Sequence, residues 1–351
     1  MTGSLPLQSL SNPAARPGGS RVAGVTMLTL EDGRALCVRR WPGIGDPLVL
    51  LHGLLDSSEE WNHLAELQCE RIAFDLPGFG HSDPPPRGSL DGYARDIAAG
   101  LEMLGVEHFN LVGHSLGGGI AATLAEMLPG RVGSLVLLAP VGFGRIPLAE
   151  AVSLPGVRSL VRTVLPLALS SRFAVTGAYV AMVTNGMLPE PEMVDRIAGR
   201  GGRLVAGARE GTRAAADAGR SRAAFHRRRI AYDGPVFAIW GNQDRLVPAS
   251  HREGVLASLP QAHVAVWSGM GHHPIRERFE DLIATIERAT GEAARARQTS
   301  WGGPSTARRR FLYASSSVTS RPNQDGGTNR SAASSEANST SAVASPSSSP
   351  R

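Results

Sequence analysis

A serine flanked by glycines is the first feature of the chain that could do chemistry. Ser115 lies in the segment LVGHSLGGG, residues 111–119, with Gly113 two positions before it and Gly117 two positions after it. Glycine has no Cβ, so a sharp turn between a strand and a helix can close there and expose the serine hydroxyl. The pattern G-x-S-x-G is short and arises by chance in glycine-rich chains, where the serine belongs to an ordinary bend. A nucleophile therefore needs partners elsewhere in the chain.

An aspartate and a histidine further along the chain are candidates for those partners. A serine nucleophile needs a base to take its proton and an acid to orient that base. Asp244 lies in WGNQDRLVP, residues 240–248, and His272 lies in SGMGHHPIRERF, residues 268–279, each directly after an apolar run. Taken singly, a loop aspartate is most often a turn former. The chain order serine, aspartate, histidine, each after a strand, favours one shared site at the carboxyl edge of a parallel sheet.

Continuous apolar runs identify the strands that would position these residues. Strands buried on both faces of a parallel sheet are apolar throughout rather than alternating. Six such runs are PLVLL (47–51), RIAFD (71–75), FNLVG (109–113), GSLVLLAP (133–140), PVFAIW (235–240) and HVAVW (263–267). Before them, residues 25–41 read as two strands joined by a turn at Asp32-Gly33. Amphipathic stretches predict helices at 91–104, 120–128 and 276–290. The sequence therefore predicts an α/β fold with helices covering a mostly parallel sheet.

The alternation of strands and helices stops between residues 142 and 231, in an apolar segment punctuated by prolines. This segment predicts an insertion of several helices, without strands, after the sixth strand. Its apolar residues predict a pocket for an apolar substrate group, with the candidates Leu160, Val161, Val164, Leu165, Leu167 and Leu169. The α/β core then comprises residues 23–141 and 232–295. Residues 1–22 are predicted to be a flexible arm, and residues 296–351 a disordered tail rich in serine and arginine.

The net charge of +5 over 351 residues comes from that tail. From residue 296 onward seven arginines face two acidic residues, and the other 29 arginines are balanced by 29 acids. All 36 basic residues are arginine, and no basic patch is interleaved with aromatic residues. We therefore expect no specific nucleic-acid partner.

The sequence predicts neither a cofactor nor a metal site. Cys37 and Cys69 show neither a disulfide framework nor the spacing of metal ligands. The N-terminus lacks the apolar segment of a signal peptide, and the longest uncharged stretch of the apolar middle, residues 173–188, is too short to span a membrane. We expect a cytoplasmic protein that acts on a small molecule, while its oligomeric state stays open.

Five ordered segments resemble the α/β-hydrolase family over residues 25–290, apart from the insertion. They are LLHGLLDSSEEW (50–61), DLPGFGHSDPP (75–85), GHSLGG (113–118), WGNQDRLVP (240–248) and GMGHHP (269–274). The resemblance implies an α/β-hydrolase fold with a helical cap. It implies Ser115 as nucleophile, His272 as base and Asp244 as orienting acid. It also implies an oxyanion hole formed by the backbone N–H groups of Leu54 and Leu116.

The same resemblance implies a serine hydrolase that cleaves a carboxylic ester through an acyl-enzyme without a cofactor. Epoxide hydrolases and haloalkane dehalogenases of this family carry a carboxylate nucleophile, so the serine at position 115 argues against both. The segment HGLLDS departs from the glycine- and proline-rich oxyanion loop usual in serine C–C hydrolases. Two alternatives stay open: a cofactor-free haloperoxidase or C–C hydrolase, and a ligand-binding homologue without catalysis. The substrate and the choice among ester, thioester and lactone are not decided by the sequence.

Overall fold

Eight strands form one mixed sheet in a computed structural model of the chain, which describes residues 23–184, 186–221 and 224–300. The strands are β1 (Gly24–Thr29), β2 (Ala35–Trp41), β3 (Leu48–Leu51), β4 (Arg71–Phe74), β5 (Phe109–His114), β6 (Val132–Leu138), β7 (Val236–Gly241) and β8 (His263–Trp267). Their order across the sheet is β1-β2-β4-β3-β5-β6-β7-β8. The hairpin β1–β2 and the pair β2–β4 are antiparallel, and every pair from β4 to β8 is parallel. The mostly parallel sheet expected from the apolar runs is confirmed.

Helices pack on this sheet in two groups. Those that flank the sheet are α1 (Leu90–Met103), α2 (Leu116–Met127), α8 (Arg252–Ser258), α9 (Pro274–Glu277) and α10 (Phe279–Ser300). Between β6 and β7 the described residues form the cap helices α3 (Pro147–Ser153), α4 (Pro155–Leu169), α5 (Arg172–Ala178), α6 (Pro191–Gly199) and α7 (Gly201–Arg220). The cap therefore follows the sixth strand, as the sequence predicts.

The two faces of the sheet are covered by two separate apolar cores. Val49 and Leu51 of β3 belong to the core that includes α1 and α2. Leu48 and Leu50 belong to the opposite core, which is completed by α10. Successive side chains of a strand point to opposite faces, so a strand covered on both sides must be apolar at every position. This burial explains why the strands were recognisable as continuous apolar runs.

The chain departs from its sequence-based prediction at its C-terminal end. The prediction that β8 is buried on both faces is wrong, because this edge strand is only partly covered and its Val266 is 38% exposed. The expected helix over 276–290 is broken at Arg278, between α9 and α10. Residues 296–300, predicted to be disordered, extend α10, where Arg297 pairs with Asp46. The predicted N-terminal arm and the rest of the tail lie outside the described residues.

A helix that crosses a membrane must be both long enough and apolar enough. No single helix within the described ranges meets both conditions, whereas α3 and α4, which are bent relative to each other, meet them when they are taken together.

Candidate active site

Ser115 occupies a strained turn between β5 and α2. Its backbone has φ +53° and ψ −112°, in the left-handed range that residues other than glycine rarely adopt. Such a conformation costs about 1–3 kcal/mol and persists only where the surroundings hold it. Here the Ser115 N–H donates to the carbonyl of Leu138 at 2.8 Å, and the Ser115 carbonyl accepts from Gly118, Gly119 and Val141. Neighbouring strand ends and the first turn of α2 therefore fix the serine at the edge of the sheet.

The two flanking glycines are required by close backbone contacts. A Cβ on Gly113 would lie 2.3 Å from the carbonyl oxygen of Gly117. A Cβ on Gly117 would lie 2.3 Å from the carbonyl oxygen of Leu51, at the end of the neighbouring strand β3. Real side chains do not approach backbone oxygens this closely. The G-x-S-x-G pattern is thus explained by steric exclusion on both sides of the serine.

Ser115 and His272 line the same cavity, which has a volume of about 1050 Å³ and lies between the sheet edge and the cap. Leu54 and Leu116 line it as well. The side chain of Asp244 is fully buried and stands behind His272 rather than at the cavity wall. The structure thus brings four of the five predicted site residues to one cavity and the fifth into contact with one of them. Their catalytic roles stay predictions.

Cap helix α4 presents only one of its faces to this cavity. Val161, Leu165 and Leu169, spaced four residues apart, line the cavity. The prediction that the whole apolar set lines the pocket is wrong, since Val164 is 49% exposed and lies outside the lining. The same holds for Leu160 and Leu167, which are also solvent-exposed. Val161, Leu165 and Leu169 form one stripe along the helix, and Leu160 and Val164, each one residue earlier than a member of this stripe, are turned about 100° away from it.

His272 is bonded to Asp244 through a geometry that fixes its tautomer. Nδ1 of the ring lies 2.7 Å from Oδ2 of Asp244, and because an ionised carboxylate can only accept, Nδ1 carries the proton. The other oxygen, Oδ1, accepts the backbone N–H groups of Leu246 and Val247, each at 2.8 Å. The aspartate is thereby held by its own loop, and the free ring nitrogen of the neutral His272 is Nε2.

The turn that follows β3 is held by a histidine. His52 donates from Nδ1 to the carbonyl of Gly53 at 2.7 Å, and its Nε2 accepts the N–H of Leu76 at 2.9 Å. Both ring nitrogens are therefore engaged in structure. Leu55 has a φ of +67°, which turns the chain sharply after Leu54. Among the described residues no acceptor is found for the Leu54 N–H, so this donor is available at the cavity.

A second donor comes from the start of α2. Leu116 is the first residue of the helix, and the N–H groups of a first helical turn have no acceptor within their own helix. The positive end of the helix dipole adds to the attraction for negative charge there. Leu54 and Leu116 are therefore two cavity-lining residues whose backbone N–H groups have no acceptor among the described residues.

The loop that carries His272 is bonded on both sides of its main chain. The His272 N–H donates to the carbonyl of Val183 in the cap at 2.6 Å. The His272 carbonyl accepts from Nε2 of His114 at 2.8 Å. Glu277 accepts the N–H groups of Gly271 and His273 on either side. The loop is thereby tied to the cap, to strand β5 and to helix α9.

The sequence profile of the family described as alpha/beta hydrolase fold matches residues 46–278, about two thirds of the chain. The chain belongs to this family.

Relatives of this α/β hydrolase are named for several different activities. The dihydrolipoyllysine-residue acetyltransferase component of the acetoin cleaving system of Pseudomonas putida is 35% identical over 244 residues, covering 68% of this chain but only 61% of that protein. The sn-1-specific diacylglycerol lipase ABHD11 of Mus musculus is 27% identical over 260 residues, covering 68% and 79%. A solved thermophilic esterase matches with a TM-score of 0.60 at 19% identity, over 78% of this chain and 99% of its own, which shows a shared fold alone.

Next to Ser115, this α/β hydrolase buries an ionic cluster that sequence reasoning missed. Nε2 of His273 lies 2.9 Å from Oε1 of Glu60 and 3.7 Å from Oδ2 of Asp56. Burial lowers the pKa of His273, but the charges of Glu60 and Asp56 outweigh burial and raise the pKa to about 9. Burial alone would raise the pKa of the Asp56 carboxyl. The neighbouring His273 and His52 lower the pKa by more than this, so that it lies below its usual range. The adjacent His114 has a pKa well below 6.5, chiefly through burial, and the neighbouring His272 and His273 lower the pKa further.

Proposed function

We propose that this protein is a serine hydrolase that cleaves carboxylic esters with an apolar acyl or alcohol part. One observation carries the proposal: the strained Ser115 opens onto a large apolar cavity that it shares with His272, whose Nδ1 is bonded to the buried Asp244. A strained turn, an oriented histidine and available N–H donors are the parts that acyl transfer from an ester to serine requires.

In the proposed mechanism, Ser115 attacks the ester carbonyl while Nε2 of His272 takes the hydroxyl proton. Asp244 stabilises the imidazolium that forms. The N–H groups of Leu54 and Leu116 stabilise the oxyanion, and each such donor contributes about 3 kcal/mol to lowering the barrier. The leaving alkoxide takes the proton from His272, which leaves an acyl-enzyme on Ser115. Water, activated by His272, then releases the acid and restores the serine.

The size and lining of the cavity support an apolar substrate. A volume of about 1050 Å³ is at the upper end of the range for small-molecule sites, roughly 300–1000 Å³. The inner face of α4 contributes Val161, Leu165 and Leu169, and other cap helices add Val175 and Met193. Burying a methylene group against such a surface is favourable by about 0.8 kcal/mol. We therefore expect activity to rise with acyl length until the cavity is filled.

The comparisons support an ester bond as the target more than they support any one substrate. Two of the similar proteins are named as a lipase and an esterase, and lipases and esterases both cleave carboxylic esters. The acetyltransferase name of the Pseudomonas putida relative describes acyl transfer to an acceptor other than water. All three names describe chemistry at an acyl group.

The proposal is tested by labelling with a fluorophosphonate probe and by turnover of p-nitrophenyl esters of increasing acyl length. The informative variant is Ser115→Ala. The matched control is Ser153→Ala. Ser153, the last residue of α3, also lines the cavity, but its hydroxyl donates to the carbonyl of Ala149 in the same helix. We expect wild type and Ser153→Ala to be labelled and active, and Ser115→Ala to lose both properties.

Other results would separate the parts of the proposal. A folded wild type that is neither labelled nor active would contradict the serine mechanism and favour a ligand-binding protein. Labelling at Ser115 without turnover of any ester, thioester or lactone would support Ser115 as the nucleophile but contradict ester cleavage. The next assays would then use substrates with a cleavable C–C bond and test for peroxidation.

A further inference from the structure

Three buried side chains of metal-ligating type converge beside the cavity. Glu60 lies in the 3₁₀ helix Ser58–Glu66, His114 ends β5, and His273 follows the candidate base in the chain. Their exposed fractions are 0%, 3% and 2%. One ligand atom from each lies within 4.8 Å of the other two. Oε1 of Glu60 is 2.9 Å from Nε2 of His273 and 3.6 Å from Nδ1 of His114.

The hydrogen bonds around His114 leave an acceptor facing an acceptor. Nε2 of His114 contacts the carbonyl oxygen of His272, which can only accept, so Nε2 carries the proton. Nδ1 of the neutral ring is then a bare lone pair directed at the Glu60 carboxylate. Among the described residues, this Nδ1 has no hydrogen-bond partner, and neither has either carboxylate oxygen of Glu60, although Oε1 forms an ion pair with Nε2 of His273. A buried polar atom without a partner costs about 1–3 kcal/mol, and a cation between the two would remove that cost.

We propose that Glu60, His114 and His273 bind a divalent transition-metal ion, with Zn²⁺ the best match to their chemistry. Two imidazole nitrogens and one carboxylate oxygen are a ligand set that zinc takes in proteins, at about 2.0–2.1 Å from each donor. Donors at that distance in a tetrahedron lie about 3.4 Å from one another. The observed separations of 2.9 and 3.6 Å lie on either side of this value, so small side-chain shifts complete the site.

The surroundings of the three residues fit a metal site in two further respects. A metal-bound histidine ordinarily donates its other ring N–H to a carbonyl or a carboxylate, which fixes the ring. His114 does this through its bond to the His272 carbonyl. His114 and His273 also line the cavity, which gives an ion a route to the buried site. Three protein ligands leave one tetrahedral position for a further ligand, and Asp56, which also lines the cavity, has Oδ2 at 3.7 Å from Nε2 of His273.

Without the ion, a proton on His273 can pair with Glu60 in the same place. Binding of Zn²⁺ therefore displaces one proton from His273 to solvent, and the bound ion replaces its positive charge. The proposal concerns binding and is independent of the ester-hydrolase function proposed above.

The test uses full-length protein treated with a chelator, equilibrated with zinc chloride and freed of excess metal. Zinc per chain is measured by inductively coupled plasma mass spectrometry, and affinity by competition with a chromophoric chelator. Substitution with Co²⁺ gives a second readout, because a tetrahedral site produces strong visible absorption. We expect one zinc per wild-type chain, tetrahedral cobalt bands, and at least about 100-fold weaker binding in Glu60→Gln and His273→Gln.

Two controls make the result specific to this site. His63→Gln removes an exposed histidine that lies three residues after Glu60 in the chain and faces Glu190. This variant should leave zinc binding unchanged. His81→Gln disrupts the other described group with ligand spacing, Cys37, Asp75 and His81, and should also leave it unchanged.

The proposal is overturned if wild type retains no stoichiometric zinc, or if zinc is lost in His81→Gln and kept in Glu60→Gln. Octahedral cobalt spectra in wild type overturn it as well. Thermal melting of the metal-free variants checks that each is folded, and if Glu60→Gln fails to fold, the cobalt spectra of wild type, His273→Gln and His81→Gln decide the question.

Discussion

Asp244 divides its two carboxylate oxygens between its own loop and His272. Oδ1 accepts two backbone N–H groups, from Leu246 and Val247, and Oδ2 lies 2.7 Å from Nδ1 of the histidine. The loop bonds set the direction of the second oxygen, so the tautomer of the histidine follows from the fold of the loop. This division makes it possible to change the histidine bond without dismantling the loop.

Asp244→Asn should therefore lower activity strongly while leaving stability almost unchanged. The amide oxygen can keep both loop bonds, but the amide NH₂ would face Nδ1 and force the proton onto Nε2, where it blocks base catalysis. The expected fall in kcat is about 10⁴-fold, as for the loss of an orienting aspartate in serine proteases. Steady-state kinetics on the best p-nitrophenyl ester, with thermal melting beside them, measure this. Activity within tenfold of wild type would contradict the role assigned to Asp244.

Substitutions on the two faces of α4 should separate the cavity wall from the solvent surface. Val161→Trp places a large ring in the cavity and should lower kcat/KM for the longest acyl chains by about tenfold or more, with short esters spared. Val164→Trp makes the same chemical change three residues away on the exposed face and should leave the chain-length profile unchanged. Equal profiles for the two variants would show that α4 does not select the acyl group.

The close contact between Gly117 and the Leu51 carbonyl predicts that a side chain at position 117 lowers stability. A side chain at a glycine with free space around it should have no such effect. Gly117→Ala should lower the free energy of unfolding by about 3 kcal/mol, because backbone must move to admit the methyl group. Gly177→Ala, inside α5 with nothing within 4 Å of the added Cβ, should raise stability by up to about 1 kcal/mol. Urea unfolding of both variants measures the difference. A neutral Gly117→Ala would mean that the turn is looser than its geometry indicates.

The buried pair of His273 and Glu60 predicts a loss of stability in mildly alkaline solution. The pKa of His273 is about 9 in the folded protein and about 6.5 in the unfolded chain, so the folded state binds this proton more tightly. Its contribution is fully present below pH 6.5 and is lost as pH rises through 9, by at most about 3 kcal/mol. Urea unfolding of chelator-treated protein between pH 6 and 9 measures it.

The control for this pH dependence is the partner of the histidine. Glu60→Gln removes the largest attraction that raises the pKa of His273, so its stability should fall less over the same range. His63→Gln should follow the wild-type curve. A wild-type curve that is flat between pH 6.5 and 9 would contradict a protonated His273.

The strands and the cluster of candidate site residues could be predicted because their causes are local. A strand such as β3 is apolar at every position since both faces are covered, and Ser115 is flanked by glycines since any Cβ would collide there. Asp244 and His272 each follow a parallel strand, and parallel strands bring their carboxyl ends to one edge. The contact between Asp244 and His272 could therefore be predicted from the order of the two residues in the chain.

Other features depend on pairings that no short segment records. Glu60, His114 and His273 are far apart in the chain and meet only after the sheet has formed. Leu55 adopts a positive φ without being glycine, so its type gave no signal for the turn. Which face of α4 meets the cavity was equally hidden, because the helix is apolar on both faces.

The bond from the His272 N–H to the Val183 carbonyl makes the cap part of the support of the candidate base. Val183 ends the helical turn Tyr179–Val183, so the cap lines the cavity and also fixes one end of the loop that carries the histidine. A cap that is grafted from a relative to change the substrate range must therefore supply a backbone carbonyl where that of Val183 accepts the His272 N–H. We expect substrate preference in this lineage to diversify by single replacements along the inner face of α4, and wholesale exchange of the cap to cost turnover.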